Sequence, residues 1–178
     1  ELQILENASD SEKMASSVNN SNGVVLVPAF TGMGAPYWDM NVKGIITGLT
    51  RGSNRNHLVR AALESIAFQV SDLLDSIYKD IDINLSTLKV DGGACANNFL
   101  MQFQADMIQH IIDRPKNIES TALGAGMLAG LGSGFWPHTE IFKDIRKTDR
   151  LFIPKMEGPE RTSLIKAWNT AVKQARIS

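Results

Sequence analysis

The chain has 178 residues, of which 43% are hydrophobic and 21% charged, and its formal net charge is −1. This composition is typical of one globular domain or most of one, and it excludes a disordered chain. The small net charge gives no reason to expect a nucleic acid or an anionic membrane as a partner. A single cysteine excludes an intrachain disulfide framework, and three scattered histidines lack metal-ligand spacing, so we expect no metal site.

The sequence shows no signal peptide and no apolar run long enough to span a bilayer. We therefore expect a cytoplasmic protein without membrane insertion. The chain does not begin with methionine, and the spacing of Leu2 and Leu5 is typical of the end of a helix already under way. This opening suggests a piece of a longer protein.

The first fifty residues predict two short strands around an irregular loop. A polar connector at 16–23 precedes a strand at 23–30, which Pro28 closes. A loop with glycines and aromatic residues follows at 31–44, and a second strand at 44–50.

Residues 57–79 predict the longest helix, with His57 at its start. Apolar residues recur there at steps of three and four: Leu58, Ala62, Ile66, Val70, Leu73 and Ile77. We expect this stripe to face the core. Arg60, Glu64, Asp72 and Asp75 occupy other faces, which we expect to be solvated.

The second half alternates strands and helices. Strands are predicted at 86–93 and 110–115, and helices at 97–109, at 119–134 and from Pro159 onward. Ser120 or Thr121 opens the second of these helices, whose small residues suit close packing. Leu164, Trp168, Ala171 and Ala175 share one face of the last helix. The alternation predicts parallel strands with crossover helices, an α/β fold.

The stretch VDGGACANNF, residues 90–99, joins a predicted strand to a predicted helix. Glycines at the carboxyl end of such a strand let backbone N–H groups approach a phosphate or nucleotide. Asn97 adds an amide nearby, and Asn98 is well placed to cap the helix. A plain turn with a capping asparagine explains the same residues equally well, so both interpretations stay open.

The other local motifs favour structural roles. Tyr37 and Trp38, in APYWD, form a binding platform or anchor the loop, and anchoring is favoured. GMGAPY lacks the last glycine of a dinucleotide-binding loop, and no Walker-type phosphate loop occurs. Cys95, between two alanines, is typical of a small buried side chain.

Four ordered strings carry a resemblance to a known family: VPAFTGMGAPYWD, GLTRGSNRNHLVRAALESIAFQ, VDGGACANNFLMQFQADM and TALGAGMLAGL. Together they resemble the carboxy-terminal part of the FGGY carbohydrate kinases. The second string carries that family's signature, from Gly48-Leu49 through His57-Leu58 to Glu64. The loop of the first string favours the glycerol kinases among them.

The resemblance implies a ribonuclease H-like domain of the actin/hexokinase ATPase type. Residues 1–178 would form a partial carboxy-terminal nucleotide-binding domain that lacks its first strands, without the amino-terminal kinase domain. In that family the residues matching Gly93 and Asn97 contact the nucleotide, and the residue matching Ala8 borders the adenine.

The resemblance further implies transfer of the γ-phosphoryl group of ATP to glycerol, with Mg²⁺ accompanying ATP and with a homo-oligomer, dimer or tetramer, as the assembly. The family's catalytic aspartate and glycerol-binding residues lie upstream of this segment. We therefore expect no catalytic residue in this chain and no activity from it alone, and glycerol would bind through the missing domain. Two alternatives stay open: another FGGY sugar kinase, acting on a pentulose or gluconate, or a non-catalytic binding module derived from the fold.

Overall fold

The computed structural model describes residues 4–82 and 85–177. The helices are α1 (Asp10–Ser16), α2 (Arg55–Asp80), α3 (Asn98–Ile108), α4 (Ser120–Gly132) and α5 (Gly158–Ala175). The strands are β1 (Val25–Val27), β2 (Ile45–Thr47), β3 (Thr87–Lys89), β4 (Ile111–Pro115) and β5 (Thr148–Phe152). Two 3₁₀ turns occur at Gly93–Ala96 and Thr139–Asp144. Within the described ranges, no helix has both the length and the apolarity that crossing a bilayer requires.

The larger sheet has the strand order β3-β4-β5. β3 and β4 are parallel, with Leu88 opposite Ile112, and α3 is the crossover between them, which confirms the predicted strand-helix-strand unit. β5 runs antiparallel to β4 and places Phe152 opposite Ile112. β5 was not predicted from the sequence, because TDRLF shows little apolar alternation. This agrees with the structure, in which four of its five residues are exposed.

β1 and β2 form a separate antiparallel pair, with Leu26 opposite Ile46. Both strands lie within the predicted segments but are shorter than predicted. β1 ends directly before Pro28, as expected, since proline has no N–H to donate to the ladder. β1 packs against α2 and α5.

The core lies between α2, α3, α5 and the two sheets. Phe68 of α2 stacks on Trp168 of α5 at a centroid distance of 5.2 Å, and its ring meets the edge of Phe103 at 5.5 Å. Trp168, Ala171 and Ala175 are all buried, which confirms the predicted apolar face of α5.

The predicted core face of α2 is only partly right, since Val70 packs against the core but three other residues of the stripe do not lie inside. Ile66, Leu73 and Ile77 are 40%, 42% and 36% exposed, whereas Glu64 is only 4% exposed. α1, α3 and β1 pack on the side of the helix that carries Glu64. That side is polar in part, and its polar groups have partners: the Glu64 carboxylate pairs with Arg60 at 2.7 Å. Periodicity counts apolar residues but cannot foresee such pairing.

Two further helix predictions concern the opening of the chain and α4. Leu5 lies outside any helix, because α1 begins only at Asp10, and Leu2 falls outside the described residues. α4 begins at Ser120, as expected, and none of its described residues is buried, but Gly130 packs so closely on the Trp136 ring that an added Cβ would clash with it.

Candidate functional site

The two glycines after β3 have different structural roles. Gly92 has φ +80° and ψ 167°, a conformation that is nearly exclusive to glycine. Its N–H donates to the carbonyl of Ile118 at 2.8 Å. Gly93 lacks this constraint, and a Cβ built there would meet no heavy atom within 4 Å. The chain's own fold therefore explains a glycine at 92 but leaves the one at 93 unexplained.

Asn97, and not Asn98 as predicted, caps helix α3. Its Oδ1 accepts the N–H of Leu100 at 2.9 Å, and its Nδ2 donates to Ser11 Oγ at 3.1 Å. Asn98 is already the first helical residue. The capping interpretation thus holds for Asn97, although an amide oxygen and an NH₂ group can each make one more hydrogen bond.

A cavity of about 620 Å³ opens beside this turn. Its walls come from the α1 region, from α2, and from the turn and start of α3. The lining residues are Ala8, Ser9, Ser11, Glu12, Leu63, Ile66, Gly93, Ala94, Ala96, Asn97 and Leu100. The structure therefore brings together Ala8, Gly93 and Asn97, the three residues that the sequence analysis singled out. The volume lies within the range of small-molecule sites.

The lining of this cavity is largely apolar. Glu12 is its one charged residue among those described, and no lysine or arginine lines it. Two N–H groups at the start of α3 already have partners, since Asn98 N donates to Glu12 Oε2 at 2.9 Å and Leu100 N donates to Asn97. The apolar walls, without a lining cation, suit a flat, weakly polar group such as a nucleobase better than a phosphate.

Eight of the eleven lining residues were not predicted from the sequence as site residues, among them Ser11, Glu12, Leu63 and Ile66. No short-range motif marks them. Ser11 and Glu12 lie 86 residues from the asparagines they contact, so only the tertiary structure brings them to the site.

A second cluster lies away from this cavity and joins three segments. Asp72 Oδ2 accepts hydrogen bonds from Tyr37 Oη and from Trp168 Nε1, both at 2.7 Å. Burial raises the pKa of Asp72 above its usual range, and burial together with the neighbouring carboxylate raises the pKa of Tyr37. The prediction of a solvated Asp72 is therefore wrong. The anchoring role is confirmed for Tyr37 but wrong for Trp38, which is 77% exposed.

The remaining candidates have structural roles. Glu64 is buried rather than solvated, and burial raises its pKa. His57 lies in the first turn of α2, which begins at Arg55, two residues earlier than predicted; its Nδ1 accepts the N–H of Asn54 in a capping box. Cys95 is buried as predicted, and burial raises the pKa of its thiol. In the part of the chain that the structure describes, no three acidic, histidine or cysteine residues cluster as metal ligands would.

Comparison with known proteins gives a family match. Residues 2–133 match the model of the FGGY family of carbohydrate kinases, C-terminal domain. The chain is 53% identical over 176 residues to a glycerol kinase of Aeromonas hydrophila, covering 99% of this chain and 35% of that protein. It is 54% identical over 175 residues to a glycerol kinase of Caldanaerobacter subterraneus, covering 98% and 35%. The chain thus spans about a third of the length of these curated relatives.

Solved structures show the same fold. The crystal structure of Plasmodium falciparum glycerol kinase with ADP matches with a TM-score of 0.86 and 36% identity, over 97% of this chain and 35% of that one. A ligand-bound xylulose kinase from Lactobacillus acidophilus matches with a TM-score of 0.77 and 22% identity, over 99% and 36%. The expected α/β fold of the actin/hexokinase type is confirmed, and this chain holds part of it.

Proposed function

Because the chain belongs to the FGGY family of carbohydrate kinases, we propose that it is the carboxy-terminal part of a glycerol kinase and forms one wall of its nucleotide site. The observation that carries this proposal is the cavity in which Ala8, Gly93 and Asn97 lie together. Support comes from the identity to curated glycerol kinases and from the similar Plasmodium falciparum structure, which holds ADP.

The character of the cavity indicates which part of the nucleotide it receives. Its apolar walls and its lack of a lining cation suit the nucleoside end of ATP, with Gly93 giving room for close approach of the ligand to the backbone. The triphosphate would then extend out of the cavity, and Mg²⁺ would arrive with ATP as part of the substrate. Asn97 has one unused amide hydrogen with which to donate to the base or ribose.

The proposed reaction transfers the γ-phosphoryl group of ATP to a glycerol hydroxyl and yields ADP and glycerol 3-phosphate. Such a transfer needs in-line positioning, a group that accepts the hydroxyl proton and charge stabilisation from several elements at once. Under this proposal those groups, and the glycerol contacts, belong to the part of the protein that this chain does not span. Assembly into a homo-oligomer stays a prediction of the family resemblance, and a cytoplasmic location stays a prediction from the sequence.

The test is a coupled assay of ADP release by the full-length protein that carries this chain, with glycerol, D-xylulose and D-gluconate as acceptors. We expect turnover with glycerol to exceed turnover with the other two. Preference for D-xylulose or D-gluconate would assign the chain to another FGGY kinase, and nucleotide binding without turnover on any acceptor would favour a binding module.

The isolated chain provides the second half of the test. We expect residues 1–178 alone to stay at the background rate with ATP, Mg²⁺ and glycerol, because one wall of a site cannot align both substrates. Activity that co-purifies with the isolated chain would contradict the proposal that catalytic groups lie elsewhere.

A further inference from the structure

Asn98 lies next to the cavity without lining it, and its side chain is held from two sides. Glu12 of α1 accepts both the backbone N–H and the Nδ2–H of Asn98, each at 2.9 Å. On the other side, Asn98 Oδ1 accepts hydrogen bonds from Arg114 Nη1 at 3.1 Å and from Arg150 Nη1 at 3.2 Å. One neutral amide thus connects a carboxylate to two guanidinium groups.

Arg114 also holds the turn that carries Gly93. Its Nη1 donates to the carbonyls of Cys95 and Ala96, at 3.1 and 3.2 Å. The guanidinium is itself fixed by Asp149, whose Oδ2 lies 2.9 Å from Nε and 2.8 Å from Nη2. A guanidinium that donates to several fixed acceptors has little freedom to shift.

These contacts connect two walls of the cavity. Glu12 belongs to the wall formed by α1, and Ala96, whose carbonyl Arg114 holds, belongs to the turn that forms another wall. The Asn98 side chain connects the two through charged groups, beside the neutral bond from Asn97 Nδ2 to Ser11 Oγ. Because a carboxylate accepts from one end of the amide and guanidinium groups donate to the other, each bond strengthens the next.

We propose that Asn98 is a positioning residue that sets the separation of the α1 wall from the Gly93 turn, and thereby the affinity for the nucleoside part of ATP. This inference rests on the proposed nucleotide site. It goes beyond that site because Asn98, Arg114 and Arg150 are outside the lining and act on the nucleotide only through other groups.

The hydrogen-bond pattern allows a swap that tests the proposal in the full-length protein. Asn98→Asp keeps the acceptor for Arg114 but places a second carboxylate against Glu12, so we expect the Kd for ATP to rise about tenfold, as for directly coupled contacts. In Glu12→Gln/Asn98→Asp the new amide donates to the new carboxylate, and the pairing is restored with donor and acceptor exchanged. We expect its Kd to return to within about threefold of the parent value.

The single variant Glu12→Gln completes the cycle, because it leaves two NH₂ groups facing each other. Asn98→Asp should therefore weaken ATP binding in the parent and strengthen it in the Glu12→Gln variant, a reversal of sign that a general loss of stability does not produce. If Asn98→Asp alone fails to fold, the comparison of Glu12→Gln with the double variant still decides the question. The KM for glycerol should stay unchanged throughout.

Ser17→Ala is the matched control. It removes two hydrogen bonds just after α1, from Asn56 Nδ2 to Ser17 Oγ at 2.9 Å and from Ser17 Oγ to the carbonyl of Met14 at 2.7 Å, without touching the cavity, so ATP binding should not change. Equal ATP affinity in the parent, Asn98→Asp and the double variant would overturn the role of Asn98 but not the proposed function. The same holds if the double variant binds ATP no more tightly than the two single variants do. A parent protein that binds no ATP would instead overturn the proposed function beneath it.

Discussion

Gly92→Ala and Gly93→Val should affect different properties, although the two residues are adjacent. At position 92 a side chain must adopt φ +80°, which costs on the order of 1–3 kcal/mol of folding free energy for a residue other than glycine. At position 93 an added Cβ meets no heavy atom within 4 Å, so for Gly93→Val the free energy of unfolding should stay within about 0.5 kcal/mol of the parent value.

Nucleotide affinity should follow the opposite order. Gly93 lines the cavity, whereas Gly92 does not. A valine side chain at 93 would occupy space meant for the ligand, at a cost of roughly 1–3 kcal/mol, the scale of overpacking in a fitted site. The Kd for ATP should then rise by about 5- to 150-fold. Gly92→Ala should change this Kd less than Gly93→Val does.

The assay measures unfolding and ATP binding on the same preparations of full-length protein, by urea denaturation and by calorimetric titration. Asn97→Ala serves as the intermediate case, since it removes a helix cap worth about 1 kcal/mol and also changes the cavity wall. Our reasoning would be refuted if Gly93→Val bound ATP as tightly as the parent, or if it lost stability while Gly92→Ala did not.

Three further predictions concern residues that do not line the cavity. Asp72→Ala leaves the buried Nε1–H of Trp168 without an acceptor and should lower the free energy of unfolding by about 2–4 kcal/mol. Asp72→Asn keeps an acceptor oxygen and should lower it by less than half as much, so equal losses in a urea titration would contradict this reason. Gly48→Ala places a Cβ against the carbonyl oxygen of Gly23 and forces alanine to adopt φ +76°, so the Tm of thermal unfolding should fall. An unchanged Tm would contradict the geometry. Burial raises the pKa of Glu64 above its ordinary value of 4.5, so the stability that this group contributes is present below pH 4.5 and is lost as the pH rises through the folded-state pKa. Compared with Glu64→Gln, the parent should lose folding stability as the pH rises from 4.5 through that pKa, and a gain would show that the pKa is lowered instead.

Local patterns were sufficient where the decisive interactions are short-range. The turn after β3 places Gly93 and Asn97 four residues apart, and the same strand-to-helix junction predicts both a close backbone approach and a cap. The cap itself was assigned one residue too late, to Asn98, because adjacent asparagines offer the same side chain to the same N–H groups.

Patterns failed where a long-range partner reverses a local preference. β5 has little apolar alternation and exists as a strand because β4 supplies its hydrogen bonds. The carboxylates of Glu64 and Asp72 lie inside because Arg60, Tyr37 and Trp168 supply donors that offset the cost of burying them.

The sequence by itself determined the class of fold, the family resemblance, and three residues that share one cavity: Ala8, Gly93 and Asn97. The fold class rests on the alternation of strands and helices, Gly93 and Asn97 on the strand-to-helix junction together with the family resemblance, and Ala8 on the resemblance alone. Only the tertiary structure decided the α1 wall and its connection to the turn. Glu12 reaches Asn98 across 86 residues, and a contact of that separation depends on how α1, α2 and α3 pack together rather than on any local preference.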